Sequence, residues 1–232
     1  MYYGYGFDST YLLLVVPALL FAFWAQIRVN SAFSRYSKVR TGSGLTGAEA
    51  ARMILDRNGL TDVAVEMIDG RLSDNYDPRT NVVHLSRDVY SNATVAAVGV
   101  AAHECGHAVQ HEEGYFPMKV RSAIIPATQI GSNLAFPLFL LGMIFSFPGL
   151  MYAGILLFAV VTFFQLITLP VEFNASNRAV ATLAESGMVS EEEERGVKSV
   201  LTAAALTYVA ALATALANLL RLMALAGRRN RG

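Results

Sequence analysis

Three long stretches of this chain contain no charged residue, and they constrain its fold more than any other feature. They are Ser9–Ile27 (19 residues), Ser122–Val171 (50 residues) and Ser199–Leu220 (22 residues). A helix that crosses a bilayer needs about 20 consecutive apolar residues. Hydrophobic residues make up 54% of the chain, and its mean hydropathy of +0.41 is higher than an ordinary soluble domain of this length would have. The pattern therefore predicts a mainly α-helical membrane protein.

The number of membrane helices depends on how the second and third stretches are divided. The second stretch is long enough for two spans, and a tight turn at Ser146–Gly149 would join them into a transmembrane hairpin. The third stretch is rich in alanine, so it either crosses the bilayer or forms a long helix that packs on the rest of the protein. We therefore expect three or four membrane helices.

On this basis the chain divides into five segments. Residues 1–27 form a membrane anchor, which we expect to be retained because its apolar run is longer than a signal-peptide core and has no basic residue before it. Residues 28–121 form a small α+β unit, and residues 122–171 form the transmembrane hairpin. Residues 172–198 form a helix and an acidic loop, and residues 199–232 form an apolar helix with a basic tail.

Basic residues give the expected orientation in the membrane. Those near the ends of the segment that follows the anchor are Arg28, Arg35, Lys38, Arg40, Lys119 and Arg121. The positive-inside rule then places residues 28–121 in the cytosol and the N-terminus outside. A complete final span would put the C-terminal arginines outside, against this rule. We expect this basic tail to contact lipid headgroups.

Local patterns predict the elements of the α+β unit. Thr46 with Glu49 forms a capping box that begins a helix, and Asn58-Gly59 ends it. The complete prediction is a polar linker over 28–45, a helix over 47–57, a strand over 63–68, a loop over 74–80, a strand over 81–86 and a helix over 93–112.

The last of these helices carries the sequence His103-Glu104-Cys105-Gly106-His107. Two histidines four residues apart lie on one face of a helix, so both imidazoles can reach one Zn²⁺ at about 2.0–2.1 Å. Glu104 can act as general base on a metal-bound water. The alternative is a core helix with two satisfied histidines, but three of the four histidines fall on this face, and burying them without a ligand would be costly. The pattern predicts zinc-assisted hydrolysis of an amide.

A catalytic zinc usually has three protein ligands, so the two histidines need a partner. His111 lies about 12 Å from His103 along a straight helix, too far to share a tetrahedral ion. Glu113 is ten residues past His103, where a third histidine is found in the metzincin pattern. Glu172 is the first charge after the long uncharged stretch, and a hairpin would return it to the membrane face that the chain left. We favour Glu172, with His111 and Glu113 as the alternatives.

Four sequence signatures occur in the same order as in known membrane proteases: Tyr76–Thr80, Val83–Ser86, Ala102–His107 and Glu172–Ser176. The chain resembles the gluzincins, more narrowly the HtpX and CAAX-prenyl-protease group, and most closely the YugP-like neutral zinc metallopeptidases of bacteria. The resemblance implies a zincin-like catalytic unit in a bacterial cell membrane. The HtpX-like pattern has aspartate four residues after the glutamate ligand, where this chain has Ser176. The Ser176 hydroxyl, with Asn177 or Asn174, is then the expected hydrogen-bond partner of a histidine ligand.

The gluzincin resemblance also implies a strand that pairs with extended substrate. In those enzymes the strand before the metal helix is an edge of the sheet, and the corresponding residues here are Asn81, Val82, Val83, His84, Leu85 and Ser86. Main-chain pairing at such an edge gives affinity with little sequence preference. The side chains that we consider for stabilising the oxyanion are Tyr208, Arg178 and His84, in that order.

Together these features predict a membrane-embedded endopeptidase with one Zn²⁺ per chain, held by His103, His107 and Glu172, that cleaves membrane or membrane-proximal proteins. Its partners would be a protein or peptide substrate and membrane lipid, with further partner proteins unidentified.

A zinc-containing scaffold or pseudoprotease is the alternative, and an intact Glu104 argues against it. A transporter is disfavoured because transporters tend to place charges within their spans. The zero net charge does not suggest nucleic acid, and the single cysteine, Cys105, excludes an internal disulfide.

Overall fold

The computed structural model of the protein describes residues 9–229, apart from the side chains of residues 228 and 229. A π-helical turn, Tyr11–Val15, leads directly into the first α-helix. The helices of this described part are α1 (Val16–Tyr36), α2 (Gly47–Arg57), α3 (Arg87–Tyr90), α4 (Val95–Glu112), α5 (Phe116–Ile144), α6 (Pro148–Glu185) and α7 (Glu191–Arg229). Its strands are β1 (Ala64–Ile68), β2 (Asn75–Asp77) and β3 (Val82–Ser86). A mainly helical protein with a small α+β part is therefore confirmed.

Four helices between residues 9 and 229 are long and apolar enough to cross a bilayer. They are Tyr11–Tyr36, Phe116–Ile144, Pro148–Glu185 and Glu191–Gly227. A turn joins the two helices as expected, but it lies between Ile144, where α5 ends, and Pro148, where α6 begins, rather than over Ser146–Gly149. The missing N–H of proline costs nothing at the start of a helix. The stretch Ser199–Leu220 lies wholly within α7.

The described chain forms two compact units. The apolar unit comprises residues 9–26, 120–169 and 207–229, and the mixed unit comprises residues 27–119 and 170–206. In the apolar unit, large side chains such as Leu13 and Leu156 are 74% and 68% exposed. Apolar side chains on the outside are the arrangement that a hydrocarbon solvent favours.

A three-stranded sheet in the described mixed unit lies beside the helix that carries the paired histidines. Its order is β1-β3-β2, with β3 parallel to β1 and antiparallel to β2. Val83 and Leu85 of β3 are fully buried in a core that also contains Leu55 of α2 and Val98 of α4. This core fixes α4 against the sheet.

The prediction that residues 81–86 form an edge strand is wrong. β3 is the central strand, paired with β1 over Val82–Ser86 and with β2 over Val82–His84, and Asn81 precedes it with a φ of +58°. The segment predicted as a loop over 74–80 contains β2, which is an edge. A strand of three residues is too short to show alternation, which is why the sequence did not reveal it.

Local capping signals in the mixed unit are confirmed. The Thr46 hydroxyl accepts a hydrogen bond from the Glu49 N–H (3.2 Å), and the Glu49 carboxylate accepts one from the Thr46 N–H (2.8 Å). Gly59, with a φ of +75°, follows the end of α2 in the left-handed conformation that glycine tolerates best. Thr94 caps α4 with its hydroxyl, which accepts a hydrogen bond from the Ala97 N–H.

Two other predicted segments are wrong in part. The linker expected over 28–45 is helical as far as Tyr36, because α1 continues beyond its uncharged run. The acidic loop expected before residue 199 is instead the first turn of α7, which contains Glu191, Glu192, Glu193 and Glu194. Acidic side chains at a helix N-terminus interact favourably with its dipole. The start of the anchor (residues 1–8) and the end of the basic tail (residues 230–232) lie outside the described residues.

Candidate metal centre

Helix α4 brings His103, Glu104 and His107 into the interior of the mixed unit. The helix is rich in alanine, glycine and valine, and most of its residues are buried. The two imidazole rings lie edge to face with their centroids 4.7 Å apart, as expected for residues separated by one helical turn. Their Nε2 atoms turn toward α6.

Glu172 of α6 meets both imidazoles. Its Oε2 lies 3.3 Å from His103 Nε2 and 3.5 Å from His107 Nε2. Ligand atoms bound tetrahedrally to one Zn²⁺ at about 2.0 Å would be about 3.3 Å apart, so the donor atoms fit a shared ion. Among the described residues, these three are the group of at least three potential metal ligands whose donor atoms lie within 4.8 Å of one another.

The two alternative third ligands lie elsewhere. The His111 ring packs against the ring of Tyr76, with centroids 5.9 Å apart. The Glu113 carboxylate accepts hydrogen bonds from Arg178 Nη1 (2.9 Å) and Nη2 (2.6 Å). Glu172 is therefore the candidate that the fold brings to the histidine pair.

Close packing of α4 on α6 makes this meeting possible. A Cβ atom added at Gly106 would lie 2.8 Å from the carbonyl oxygen of Ala175 and 3.2 Å from its Cα. Only glycine allows the two backbones to approach this closely. Gly106 precedes one histidine of the cluster, and Ala175 is one turn from Glu172, so the contact lies at the same level as the cluster.

The other imidazole nitrogens have protein partners. His103 Nδ1 lies 3.2 Å from Ser176 Oγ, and His107 Nδ1 lies 3.0 Å from Gln110 Oε1. Gln110 is fully buried, and sequence reasoning missed its role. Its position three residues after His107 was the available signal, because residues i and i+3 are neighbours on a helix. Of the other two predicted partners, Asn174 accepts hydrogen bonds from Gln110 and Arg178 instead, and Asn177 is exposed and lines a cavity of ≈ 470 Å³.

The three side chains considered for the oxyanion have different surroundings. Arg178 binds Glu113 and donates from Nε to Asn174 Oδ1 (2.8 Å), so its guanidinium is already engaged. His84 Nδ1 is buried and has no hydrogen-bond partner within residues 9–229. Tyr208 belongs to the apolar unit.

Burial raises the pKa of acidic and thiol groups on and near α4. Glu104 is buried, and this burial raises the pKa of its carboxyl group, although the neighbouring imidazoles of His103 and His107 counteract the effect. Asp74, which accepts from the Ser86 N–H and Oγ–H, also has a raised pKa because it is partly buried. Burial likewise raises the pKa of the Cys105 thiol, so this side chain is a packing residue rather than a nucleophile.

Comparison with known proteins agrees with this geometry. The family described as "Putative neutral zinc metallopeptidase" matches residues 11–227. The chain belongs to this family. It is also 51% identical, over 211 residues, to the "Putative membrane protease YugP" of Bacillus subtilis (strain 168), a match that covers 91% of this chain and 94% of that protein. No solved structure matches the chain. Membership of this metallopeptidase family and the His103–His107–Glu172 cluster both fit zinc as the cofactor.

Replacing Gly106 with alanine should push α6 away from α4. We expect Gly106→Ala to lower the free energy of unfolding by about 1–3 kcal/mol, because the added methyl group has backbone rather than a flexible side chain in its way. Chemical denaturation in detergent, followed by circular dichroism, measures the effect. Gly227→Ala is the control, since its Cβ would meet nothing within 4 Å. Equal stability of the two variants would contradict the close approach.

Replacing Glu172 with alanine should abolish metal binding. Two imidazoles alone leave a zinc site short of a protein ligand, so we expect about one zinc per chain in the wild type and only traces in Glu172→Ala. Mass spectrometry of detergent-purified protein measures the metal. Glu185→Ala, at the exposed end of α6, should retain it. Zinc retained by Glu172→Ala would disprove the assignment.

Proposed function

We propose that the protein is a membrane-embedded, zinc-dependent endopeptidase of the gluzincin type, with His103, His107 and Glu172 as the ligands of one Zn²⁺ per chain. The observation that carries the proposal is the convergence of both Nε2 atoms on one oxygen of Glu172, at 3.3 and 3.5 Å. A buried carboxylate of this kind would be costly without a cation beside it. This ligand set also supports a zincin-like mixed unit.

Glu104 is the general base in this proposal. When bound, the zinc ion supplies a Lewis acid that polarises the scissile carbonyl and makes a water molecule more acidic. Glu104 accepts the proton of the attacking water and then delivers it to the leaving amine. Because burial raises its pKa, its carboxylate is a stronger base than that of an exposed glutamate.

Strand β2 is the edge that we propose for substrate pairing, in place of residues 81–86. It pairs with β3 on one side, and its Tyr76 packs against His111 of α4, so the strand lies beside the metal helix. An extended peptide added at this edge would gain main-chain hydrogen bonds with little dependence on its sequence. Broad specificity toward membrane and membrane-proximal proteins is the consequence.

The oxyanion needs a donor besides the metal. Arg178 is less suited to this task than predicted, because Asn174 and Glu113 already accept from its Nε and both of its terminal nitrogens. Tyr208 and His84 therefore remain the side chains that we propose for it. Ser176 and Gln110 orient the histidines rather than contact the substrate.

The Glu104→Gln variant tests the proposed reaction. Glutamine keeps the shape of the side chain but cannot accept the proton, so we expect zinc to be retained and casein cleavage to fall at least about 100-fold. Zinc content and cleavage are measured on the same samples, with and without a chelator. Glu112→Gln, an exposed position on the same helix, is the control. Full cleavage by Glu104→Gln would contradict the proposal, and wild-type protein with zinc but no cleavage would favour a scaffold.

We further propose that the metal site faces the cytosol of a bacterial cell. A cysteine scan can test this because the single native thiol, Cys105, is fully buried. Ser91 follows α3 in the mixed unit and Ser146 lies in the turn between α5 and α6; both are exposed. We expect a membrane-impermeant maleimide to label Ser146→Cys in intact spheroplasts and Ser91→Cys only after lysis. The reverse pattern would show the opposite orientation.

A further inference from the structure

Gln110 connects a metal ligand to α6 through every polar atom of its amide. Its Oε1 lies 3.0 Å from His107 Nδ1, and its Nε2 donates to the Val171 carbonyl oxygen (2.8 Å) and to Asn174 Oδ1 (2.9 Å). The side chain is fully buried. A buried amide without partners would be costly, and here each of its hydrogen-bonding atoms has one.

The partners fix which way the amide points. A backbone carbonyl can only accept, so the nitrogen of Gln110 must face Val171, and its oxygen must face His107. His107 therefore carries its proton on Nδ1 and donates it to Gln110. In the neutral form of His107, which is the form that binds a metal, the lone pair is then on Nε2, the atom that lies 3.5 Å from Glu172 Oε2.

The chain of hydrogen bonds continues from Gln110 to the end of α4. Asn174 Oδ1 accepts from both Gln110 Nε2 and Arg178 Nε, and a guanidinium can only donate. Arg178 also binds Glu113, the residue that caps α4. The donors and acceptors of this series of hydrogen bonds are therefore fixed at both ends. The series begins and ends on α4.

His103 has a different kind of partner. The Ser176 hydroxyl, 3.2 Å from His103 Nδ1, can either donate or accept. It is compatible with both neutral tautomers of His103 and selects neither. Of the two histidines, only His107 has its metal-binding tautomer set by the surrounding protein.

We propose that Gln110 is a positioning residue that holds His107 in its metal-binding tautomer, and that Asn174 and Arg178 hold Gln110 in the required orientation. The inference rests on the proposed function in that it requires a metal at His103, His107 and Glu172. It assigns to Asn174 and Arg178 an effect on metal affinity although neither contacts a ligand. Hydrogen-bond partners of this kind typically change metal affinity by about 10–100-fold.

Cobalt(II) is the probe for the experiment, because its visible absorption reports the geometry of its ligands. The affinity of the full-length protein in detergent is measured by competition with a chelating dye, and the spectrum is recorded at saturation. Gln110→Met removes the acceptor for His107. Asn174→Leu removes the acceptor for Gln110 and Arg178, whereas Asn174→Asp keeps an oxygen for both. Arg57→Gln, an exposed arginine at the end of α2, is the control.

We expect Gln110→Met and Asn174→Leu to bind cobalt about 10–100-fold more weakly with altered spectra, and Asn174→Asp and Arg57→Gln to resemble the wild type. Aspartate keeps the oxygen that accepts from Gln110 and Arg178, so loss of affinity in Asn174→Asp equal to that in Asn174→Leu would overturn the proposal. Unchanged affinity and spectra in Gln110→Met and Asn174→Leu would also overturn it, while leaving the endopeptidase proposal intact. Failure of the wild type to bind cobalt would overturn both.

Discussion

The burial of the Glu172 carboxylate is the constraint on which the rest of the mixed unit depends. The residue is 2% exposed and lies between two imidazoles. An uncompensated charge in such a place would cost several kcal/mol, so α6 must approach α4 closely enough for the three side chains to share a cation. Gly106 permits that approach, and the hydrogen bonds from Gln110 to Val171 and Asn174 fix the rotation of α6 relative to α4.

The paired histidines and Glu172 could be predicted from the sequence for different reasons. His103 and His107 form a local pattern, because a helix brings positions four apart onto one face whatever surrounds it. Glu172 is 65 residues beyond His107, and its prediction depended on the apolar stretch between them forming a hairpin. Composition alone supports the hairpin, because an uncharged run of this length can adopt few other folds.

The sheet order and the hydrogen-bond partners of the histidines could not be obtained in this way. Whether β3 is central or at an edge depends on β2, a strand of three residues without a periodic signal. The position of Gln110, three residues after His107, indicates only that the two side chains are neighbours on the helix. Its function depends on Val171 and Asn174, which lie more than 60 residues away and whose positions follow from the packing of α6, not from any local spacing.

Charge balance gives a physical reason for the uncharged partners of the histidines. A divalent cation with the carboxylates of Glu172 and Glu104 is electrically neutral, which is the least costly state for a buried site. Ser176 and Gln110 orient the imidazoles without adding charge. An aspartate at position 176 would bring a third negative charge against His103. Ser176 avoids that charge, but it does not determine which nitrogen of neutral His103 carries the proton. The hydrogen bonds of Gln110 determine this for His107 only.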